Sequence, residues 1–379
     1  MVFDEFASLL SQICSHTSLA GGRPLLWTII ANPQAGGFTI KSRWKKHHAM
    51  LVACVEKAKK NPFRPENGPS QTALALGGSS GKLGLIPTKA AGHAQELTGL
   101  LIEEAAQQKA AAASGGVSGA RPFHLIITAA GDGTSLEAMT GLYHAPENIR
   151  KDFAILRLPM GTGNDGSDAW ELDKALDLII EPAQVRCQRA LRLSTASAKG
   201  PFLAFNILSV GIDAFVTHMT NKMKGKLPGD SYKLWVDIAS LLYDSIYKVG
   251  FIDIRSCDEK GNEVKAFREK LLLLAVGESG RRTYGSHKWI LPDERNACVL
   301  KQMSLFRKLS LKGLFTYGTH IDKPEAILWN ASRFEFSSQY PILAQMDGET
   351  VLLEEADFPA VIELSEPMIP IIKGFNTSP

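Results

Sequence analysis

"FHLIITAAGDGTSLEAMTGL", residues 123–142, sets an aspartate, Asp132, between two glycines at the tip of an apolar run. The run up to Ala130 reads as a buried strand, and the pattern from Ser135 onward reads as a helix. An aspartate between glycines gives up helix and strand propensity with no packing gain. Its uses in such a turn are Mg²⁺ coordination, proton chemistry or an Asx turn.

The same arrangement recurs on either side. "LLWTIIANP" (25–33) reads as a buried strand stopped by Asn-Pro, and "FAILRLPMG" (153–161) as a third strand. "SRWKKHHAMLVACVEKAKK" (42–60) and "HAQELTGLLIEEAAQQKA" (93–110) read as helices. Strands alternating with helices imply a parallel sheet with crossover helices. Three glycine-rich turns then fall at strand ends: "NPQAGG" (32–37), "AGDGTS" (130–135) and "PMGTGND" (159–165). The C-terminal ends of parallel strands are where such sheets bind ligands. Glycine lets the backbone approach a phosphate closely, and the amides that open the next helix face the anion. No GxxxxGK followed by Ser or Thr is present, so this is not a Walker P-loop. "GTGNDG" (161–166) contains GxGxxG, but no acidic ribose-binding residue follows a later strand. Mg²⁺ favours one or two carboxylates beside phosphate oxygens, which suits Asp132 or Asp165.

Outside these turns the pattern divides the chain. An α/β nucleotide-binding domain is expected over 1–181, with 1–23 as an N-terminal extension. A β-rich domain is expected over 182–360, followed by a tail, 361–379, that can return to the first domain. In the second domain "RCQRALRLST" and "FLAFNILSV" flank "ASAKGP", and "GFIDIRSC" and "VKAFREKLLLLAVG" flank "DEKGNE"; both read as hairpins. "SYKLWVDIASLLYDSIYKVG" (231–250) reads as a helix with Trp235, Ile238, Leu242 and Ile246 on one face. The stretches 61–84 and 110–120 are poor in large apolar residues and read as loops or insertions. Phe3, Phe6, Leu9, Leu10 and Ile13 recur at helical spacing.

The 379 residues are 45% hydrophobic and 21% charged, a composition that supports a normal core. A net charge of +3 is too small to argue for nucleic acid. Five widely spaced cysteines make neither a disulfide framework nor a zinc site, so a reducing, cytoplasmic compartment is expected. The early acidic residues exclude a signal peptide, and no apolar run nears the roughly 20 residues that span a bilayer. Membrane contact would therefore be peripheral, at the inner face. "TNKMKGK" (220–226) with the helix after it, or "KSRWKKHH" (41–48), could touch headgroups, though solvated helix faces explain both.

Taken together, "NPQAGG", "AGDGTSLEAMTGL" and "LPMGTGND" resemble, in order, the NP-x-x-GG, GGDGT-x-x-E and P-x-GT-x-ND signatures of the diacylglycerol kinase catalytic family, which includes bacterial lipid kinases and sphingosine kinases. "IPTKAAGHAQEL" (86–97), "FNILSVGIDA" (205–214), "YGTH" (317–320) and "AQMDGE" (344–349) are similar to further family features. The resemblance implies a Rossmann-like α/β domain of the NAD kinase and diacylglycerol kinase type plus a β-sandwich, with catalysis in the cleft. It implies ATP and Mg²⁺ as cofactors and a lipid hydroxyl, of diacylglycerol or a sphingoid-type alcohol, as acceptor. Asn32, Pro33, Gly36, Gly37, Thr88, Gly131, Gly133, Thr134, Ser135, Glu137, Gly161, Thr162, Asn164 and Asp165 would form the nucleotide site. Asp132 would act at the phosphates or their Mg²⁺, Asp213 would lie near the acceptor, and Glu349 would take the acceptor's proton. "MDGE" also reads as a hairpin whose Asp-Gly sets a type I′ turn.

Two positions depart from the family pattern. Ala130 replaces the first glycine of GGDGT, which a turn tolerates if that residue keeps negative φ. In "LPDERNAC" (291–298) Asn296 and Ala297 stand where relatives carry an Asp-Gly pair that helps to hold a structural Mg²⁺, leaving Asp293 or Glu294 as candidates. An NAD kinase-like small-molecule kinase and a non-catalytic nucleotide or lipid binder remain alternatives.

Overall fold

The apolar runs of the first half form strands β1 Leu25–Ala31, β2 Gly84–Pro87, β3 Phe123–Ala130, β4 Phe153–Pro159 and β5 Ala183–Gln188. Together with the last strand of the chain, β19 Ile369–Gly374, they make a six-stranded sheet in the order β2-β1-β3-β4-β19-β5. The computed structural model describes residues 2–17, 25–60, 84–113, 121–161, 164–223, 243–285 and 287–374. β1 is parallel to β2 and β3, β4 is parallel to β3 and β19, and β5 alone runs antiparallel, against β19. β1 and β4 are buried along their whole length and β3 along nearly all of it. Both faces of a parallel sheet are covered, so such strands read as unbroken apolar runs rather than alternating ones.

Helices α1 Val2–Cys14, α2 Gly36–Thr39, α3 Lys41–Lys59, α4 His93–Ala113, α5 Asp132–His144, α6 Glu147–Arg150 and α7 Leu172–Ile180 complete this unit. Phe6, Leu10 and Ile13 of α1 lie in one core with Trp27 and Ile29 of β1, Leu51 of α3 and Leu176 of α7. The N-terminal stretch is thus structural, and the ring of Phe6 meets Phe38 edge-on at 5.2 Å. Two boundaries differ from the sequence reading. α4 runs on to Ala113, since an alanine run is a strong helix former. α5 begins at Asp132 rather than Ser135, with Gly131 as its extended N-cap. A carboxylate in the first turn offsets the weak propensity of Gly133, because a helix start attracts negative charge.

The chain divides into unit 1, Met1–Gln188 with Pro367–Pro379, and unit 2, Arg189–Glu366. β5, which lies beyond the expected change of pattern at 182, is a strand of the first sheet.

Unit 2 holds β6 Leu191–Ser194, β7 Phe202–Ala204, β8 Ile207–Gly211, β9 Phe251–Cys257, β10 Glu263–Gly277, β11 Arg282–Tyr284, β12 Lys288–Leu291, β13 Ala297–Lys301, β14 Ala326–Trp329, β15 Arg333–Ser338, β16 Ile342–Met346, β17 Glu349–Leu353 and β18 Ala360–Leu364. Both predicted hairpins are present, β6 with β7 and β9 with β10. The 15-residue β10 joins two layers. Its first half pairs with β9 and leads to β15, β18, β6 and β7. Its second half, buried from Leu271 to Gly277, lies between β8 and β13 and leads to β16, β17 and β14. Leu191, Leu193 and Phe334 of one layer share a core with Leu208, Val210 and Leu274 of the other, which is a β-sandwich. Helix α8 Ile212–Met223 covers the far side of the second layer through Ala214 and Phe215.

Three short helices follow: α9 Tyr243–Ile246, α10 Leu305–Lys312 and α11 Leu314–Tyr317. Of the helix expected over 231–250, Trp235, Ile238 and Leu242 lie outside the described residues, as do most of 61–84 and the end of 110–120. All five cysteines are free. Among the described residues no helix is long and apolar enough to cross a membrane.

Candidate active site

The three glycine turns of unit 1 meet, and backbone contacts join them. The Asn32 N–H donates to Ala129 O at 3.2 Å, the Met160 N–H to Ala130 O at 3.0 Å, and the Gly37 N–H to Met160 O at 2.7 Å. A Cβ on Gly161 would lie 2.3 Å from the Cα of Gly131, and one on Gly37 would lie 2.7 Å from Met160 O. Glycine is required at Gly161 and Gly37 because main chain packs on main chain. Ala130 causes no difficulty: it is the last residue of β3, opposite Pro159, and is not among the positive-φ residues.

Each turn is also braced by its own polar groups. Asn32 Oδ1 accepts from the Gln34 N–H at 2.9 Å, an Asx turn. The Asn164 amide closes the third turn, accepting from the Gly161 N–H at 2.9 Å and donating to Gly161 O at 3.1 Å. Asp132 Oδ1 accepts from the Gly166 N–H at 3.0 Å, which sets its carboxylate against the Asp165–Gly166 peptide. Asp132 and Asp165 therefore belong to one corner, at the first turn of α5, where helix amides lack intrahelical acceptors. Gly36 opens α2, Pro33 lies in the turn before it, and the Thr88 N–H reaches Ala31 O at 2.8 Å. Gly133 and the buried Thr134 lie in the first turn of α5. Thr162 lies outside the described residues.

Two expected nucleotide contacts have other partners. The Ser135 hydroxyl turns inward to Thr128 Oγ1 at 2.9 Å. The Glu137 carboxylate accepts from the Gly92 and Ala94 N–H groups at 2.8 and 3.1 Å. It caps the start of α4 and so fixes the segment that carries Thr88. Sequence reasoning missed the strongest brace in this region. Asp168 accepts from the Arg157 main-chain N–H at 2.7 Å and from its guanidinium at 2.7 and 3.3 Å, and both side chains are buried. The loop after β4 is thereby tied back to β4.

In unit 2 the β16–β17 hairpin turns at Asp347 and Gly348, with φ of +46° and +109°, as a type I′ turn requires. The buried Asp347 carboxylate receives the N–H groups of Phe205, Asn206 and Ile207 at 2.5, 3.1 and 2.9 Å, which locks the turn onto β8. Gln345 accepts from the Gly348 N–H at 3.1 Å and donates to Ser209 Oγ at 2.9 Å and Asp213 Oδ2 at 3.4 Å. Ser209 Oγ donates to the same Asp213 oxygen at 2.7 Å. Asp213, in the first turn of α8, and the Glu349 hairpin are thus parts of one network. Glu349 opens β17 opposite Met346 and is exposed. Neighbouring Thr350 meets His218 Nδ1 at 3.2 Å, and burial lowers the pKa of that histidine.

The "LPDERNAC" segment does not fit a metal. Arg295 donates to both carboxylate oxygens of Asp293, at 2.5 to 3.1 Å, and holds that carboxyl below its usual range. The Asn296 amide is spent on the Ala331 main chain, accepting its N–H at 3.1 Å and donating to its carbonyl at 2.9 Å. Among the described residues no group of three His, Cys, Asp or Glu side chains is placed to hold a metal ion.

Residues 74–195 match the sequence model of the diacylglycerol kinase catalytic domain, a match that includes the turns at 130–135 and 159–165 and begins after the turn at 32–37. Over 238 residues, 60% of this chain and 72% of its relative, the chain is 27% identical to the "Probable lipid kinase YegS-like" of Xanthomonas euvesicatoria pv. vesicatoria (strain 85-10). It is similar to a crystal structure of a "putative diacylglycerol kinase" from Bacillus anthracis str. Sterne, with a TM-score of 0.57 and 16% identity over 93% of this chain and 96% of that one. A second structure from that organism, described as a diacylglycerol kinase, gives a TM-score of 0.51 and 14% identity over 93% and 98% of the two chains. At these identities the structures establish the fold, an α/β unit with a β-sandwich.

Proposed function

We propose that this chain, with its diacylglycerol kinase-type catalytic region, is an ATP-dependent lipid kinase that phosphorylates the hydroxyl of diacylglycerol or a sphingoid-type lipid. The observation that carries the reading is the convergence of three glycine turns at the ends of β1, β3 and β4, with Asp132 at the start of α5. Main-chain amides in such a corner suit the phosphates of a nucleotide. Asp132 and Asp165 are the carboxylates that would hold Mg²⁺. Two carboxylates fit a metal whose other ligands are phosphate oxygens and water. When bound, Mg²⁺ neutralises charge on the phosphoryl group in transfer.

Glu349 is the group we assign as base. Its exposed carboxylate takes the proton of the acceptor hydroxyl as the new O–P bond forms. The bond between the γ-phosphorus and the bridging oxygen breaks, and ADP leaves with that electron pair. Asp347 and Gln345 hold the turn from which Glu349 projects, and Asp213 shares their network.

The test is transfer of labelled phosphate from ATP to diacylglycerol, a sphingoid base and NAD, run side by side. Transfer to a lipid supports the reading, and transfer to NAD alone overturns it. Asn296, which stands where the family pattern has a metal-holding aspartate, favours one second reading, a non-catalytic nucleotide or lipid binder, and the pairing of Asp293 with Arg295 gives no replacement carboxylate. Nucleotide binding with no transfer to any acceptor would establish that alternative.

A further inference from the structure

A two-residue hairpin turn leaves the main-chain groups of its central residues outside the strand ladder, and at a surface water is enough to satisfy them. The turn at Asp347 and Gly348 gives three of these groups fixed partners instead. The Asp347 N–H donates to Ile207 O at 3.2 Å, and the Gly348 N–H to Gln345 Oε1 at 3.1 Å. The Gly348 carbonyl accepts from the Asn221 side-chain amide at 2.8 Å. Asn221 lies in the last turn of α8, and Gly348 O belongs to the peptide that leads into Glu349. On the other side of Glu349, Thr350 Oγ1 meets His218 Nδ1 of the same helix at 3.2 Å. Both neighbours of Glu349 are thus tied to α8, while the Glu349 side chain is exposed. The sequence of α8 accounts for this. Ala214 and Phe215 turn to the core. Asp213, Thr217 and Asn221 recur every four residues, with His218 beside Thr217, so they share a second face. Asp213 accepts from Ser209 and Gln345, and the Thr217 hydroxyl pairs with Tyr284 OH at 3.1 Å. The polar face is spent on the strands around the turn.

We infer that Asn221 and His218 are positioning residues for phosphoryl transfer: they act through Glu349, holding its hairpin so that the carboxylate stays aimed at the acceptor hydroxyl. The inference rests on the kinase reading and on Glu349 as its base. A base works only within hydrogen-bond reach of the proton it takes. A displacement of about 1 Å at a reacting group can cost about 10²-fold in rate. Gly348, at φ of +109°, is the residue beside Glu349 with the most backbone freedom. The Asn221 amide removes that freedom from one side, and the Thr350–His218 contact anchors the other. Neither contact involves the Glu349 carboxylate, which is left for the substrate.

The test is steady-state transfer of labelled phosphate by Asn221→Ala and His218→Leu, each made in the wild-type chain and in Glu349→Gln. In the wild-type chain each substitution is expected to lower kcat up to about tenfold, the weight of one hydrogen bond. The two together are expected to lower it about 10²-fold. KM for ATP and for the lipid should hold, because the interaction lost is one that aims the base rather than one that binds substrate. Asn221 is exposed, so its variant folds and its melting curve is expected to match the wild type. In Glu349→Gln no base is left to aim, and the same substitutions are expected to change kcat by less than about twofold. Equal losses in the two backgrounds would assign both residues a merely structural role and overturn the proposal. So would an unchanged kcat in the wild-type chain, or a rise in KM in place of the fall in kcat. These outcomes arise in an active enzyme and overturn the proposal alone. A wild type that transfers phosphate to no acceptor overturns the kinase reading and the proposal together.

Discussion

Asp168 and Arg157 form a buried, two-pronged ion pair that also includes the Arg157 main-chain N–H, with the carboxylate wholly shielded from solvent. The pair fixes the loop after β4 from the protein's interior. Removing one partner strands the other in an apolar setting, at a cost of about 3–5 kcal/mol. Asp168→Asn and Arg157→Met are each expected to lower the unfolding free energy, measured by urea titration, by that much. Arg157→Met with Asp168→Asn together should cost less than the sum of the two. A double-variant cycle in urea checks this, and simple additivity would contradict it.

Gly161→Ala is a test of the junction between the turns. The added methyl would lie 2.3 Å from Gly131 Cα, where only backbone can move. Overpacking of this kind costs about 1–3 kcal/mol. We expect weaker ATP binding by calorimetry along with that loss. Gly99→Ala in α4 is the control. Nothing lies within 4 Å of its new Cβ, and helix propensity predicts a gain of up to about 1 kcal/mol.

The adjacent acids Asp347 and Glu349 should separate stability from turnover. Asp347→Asn replaces a carboxylate that receives three main-chain N–H groups, and should destabilise by roughly 2–3 kcal/mol. Glu349→Gln changes an exposed side chain. It should keep the melting curve and lower kcat by about 10²–10⁴-fold, the usual weight of a general base. Equal activity in Glu349→Gln would remove the assigned base.

Much of this was legible in the sequence because it follows from steric and periodic rules. Both-face burial makes β1, β3 and β4 unbroken apolar runs, and the Asp347–Gly348 pair specifies its own turn. The glycine turns show because contact of Gly161 with Gly131 excludes any Cβ. Polar pairs leave no such mark. Glu137 caps α4 from 45 residues beyond Gly92, and Asp168 matches Arg157 with no periodicity to announce it. The orientation of α10 was hidden for a related reason. Periodicity shows which residues share a face, and only the pairing of buried Lys308 with Asp244 shows which one is inside.

His320 supplies a pH-dependent prediction. Burial pulls its pKa from 6.5 down to about 4, against a smaller upward pull from its bond to Ile290 O. The unfolded chain therefore binds this proton more readily than the folded one. Stability from the neutral ring is complete above the unfolded pKa and declines as pH falls from 6.5 toward 4, by about 3 kcal/mol over that window. Asp293, whose carboxyl is lowered by Arg295, acts in the same direction at more acidic pH. The urea midpoint of wild type should fall more steeply across this window than that of His320→Phe. Parallel curves would exclude His320 as the source.

The return of β19 to the first sheet has a consequence for synthesis. Its neighbours are β4 and β5, both made long before it. Until β19 is made only β2, β1, β3 and β4 can pair, with the edge of β4 open and β5 lacking its one neighbour, while all of unit 2 is made and can fold. Unit 2 is an insertion within a discontinuous domain. Unit 1 is completed last, although nearly all of its residues are translated first.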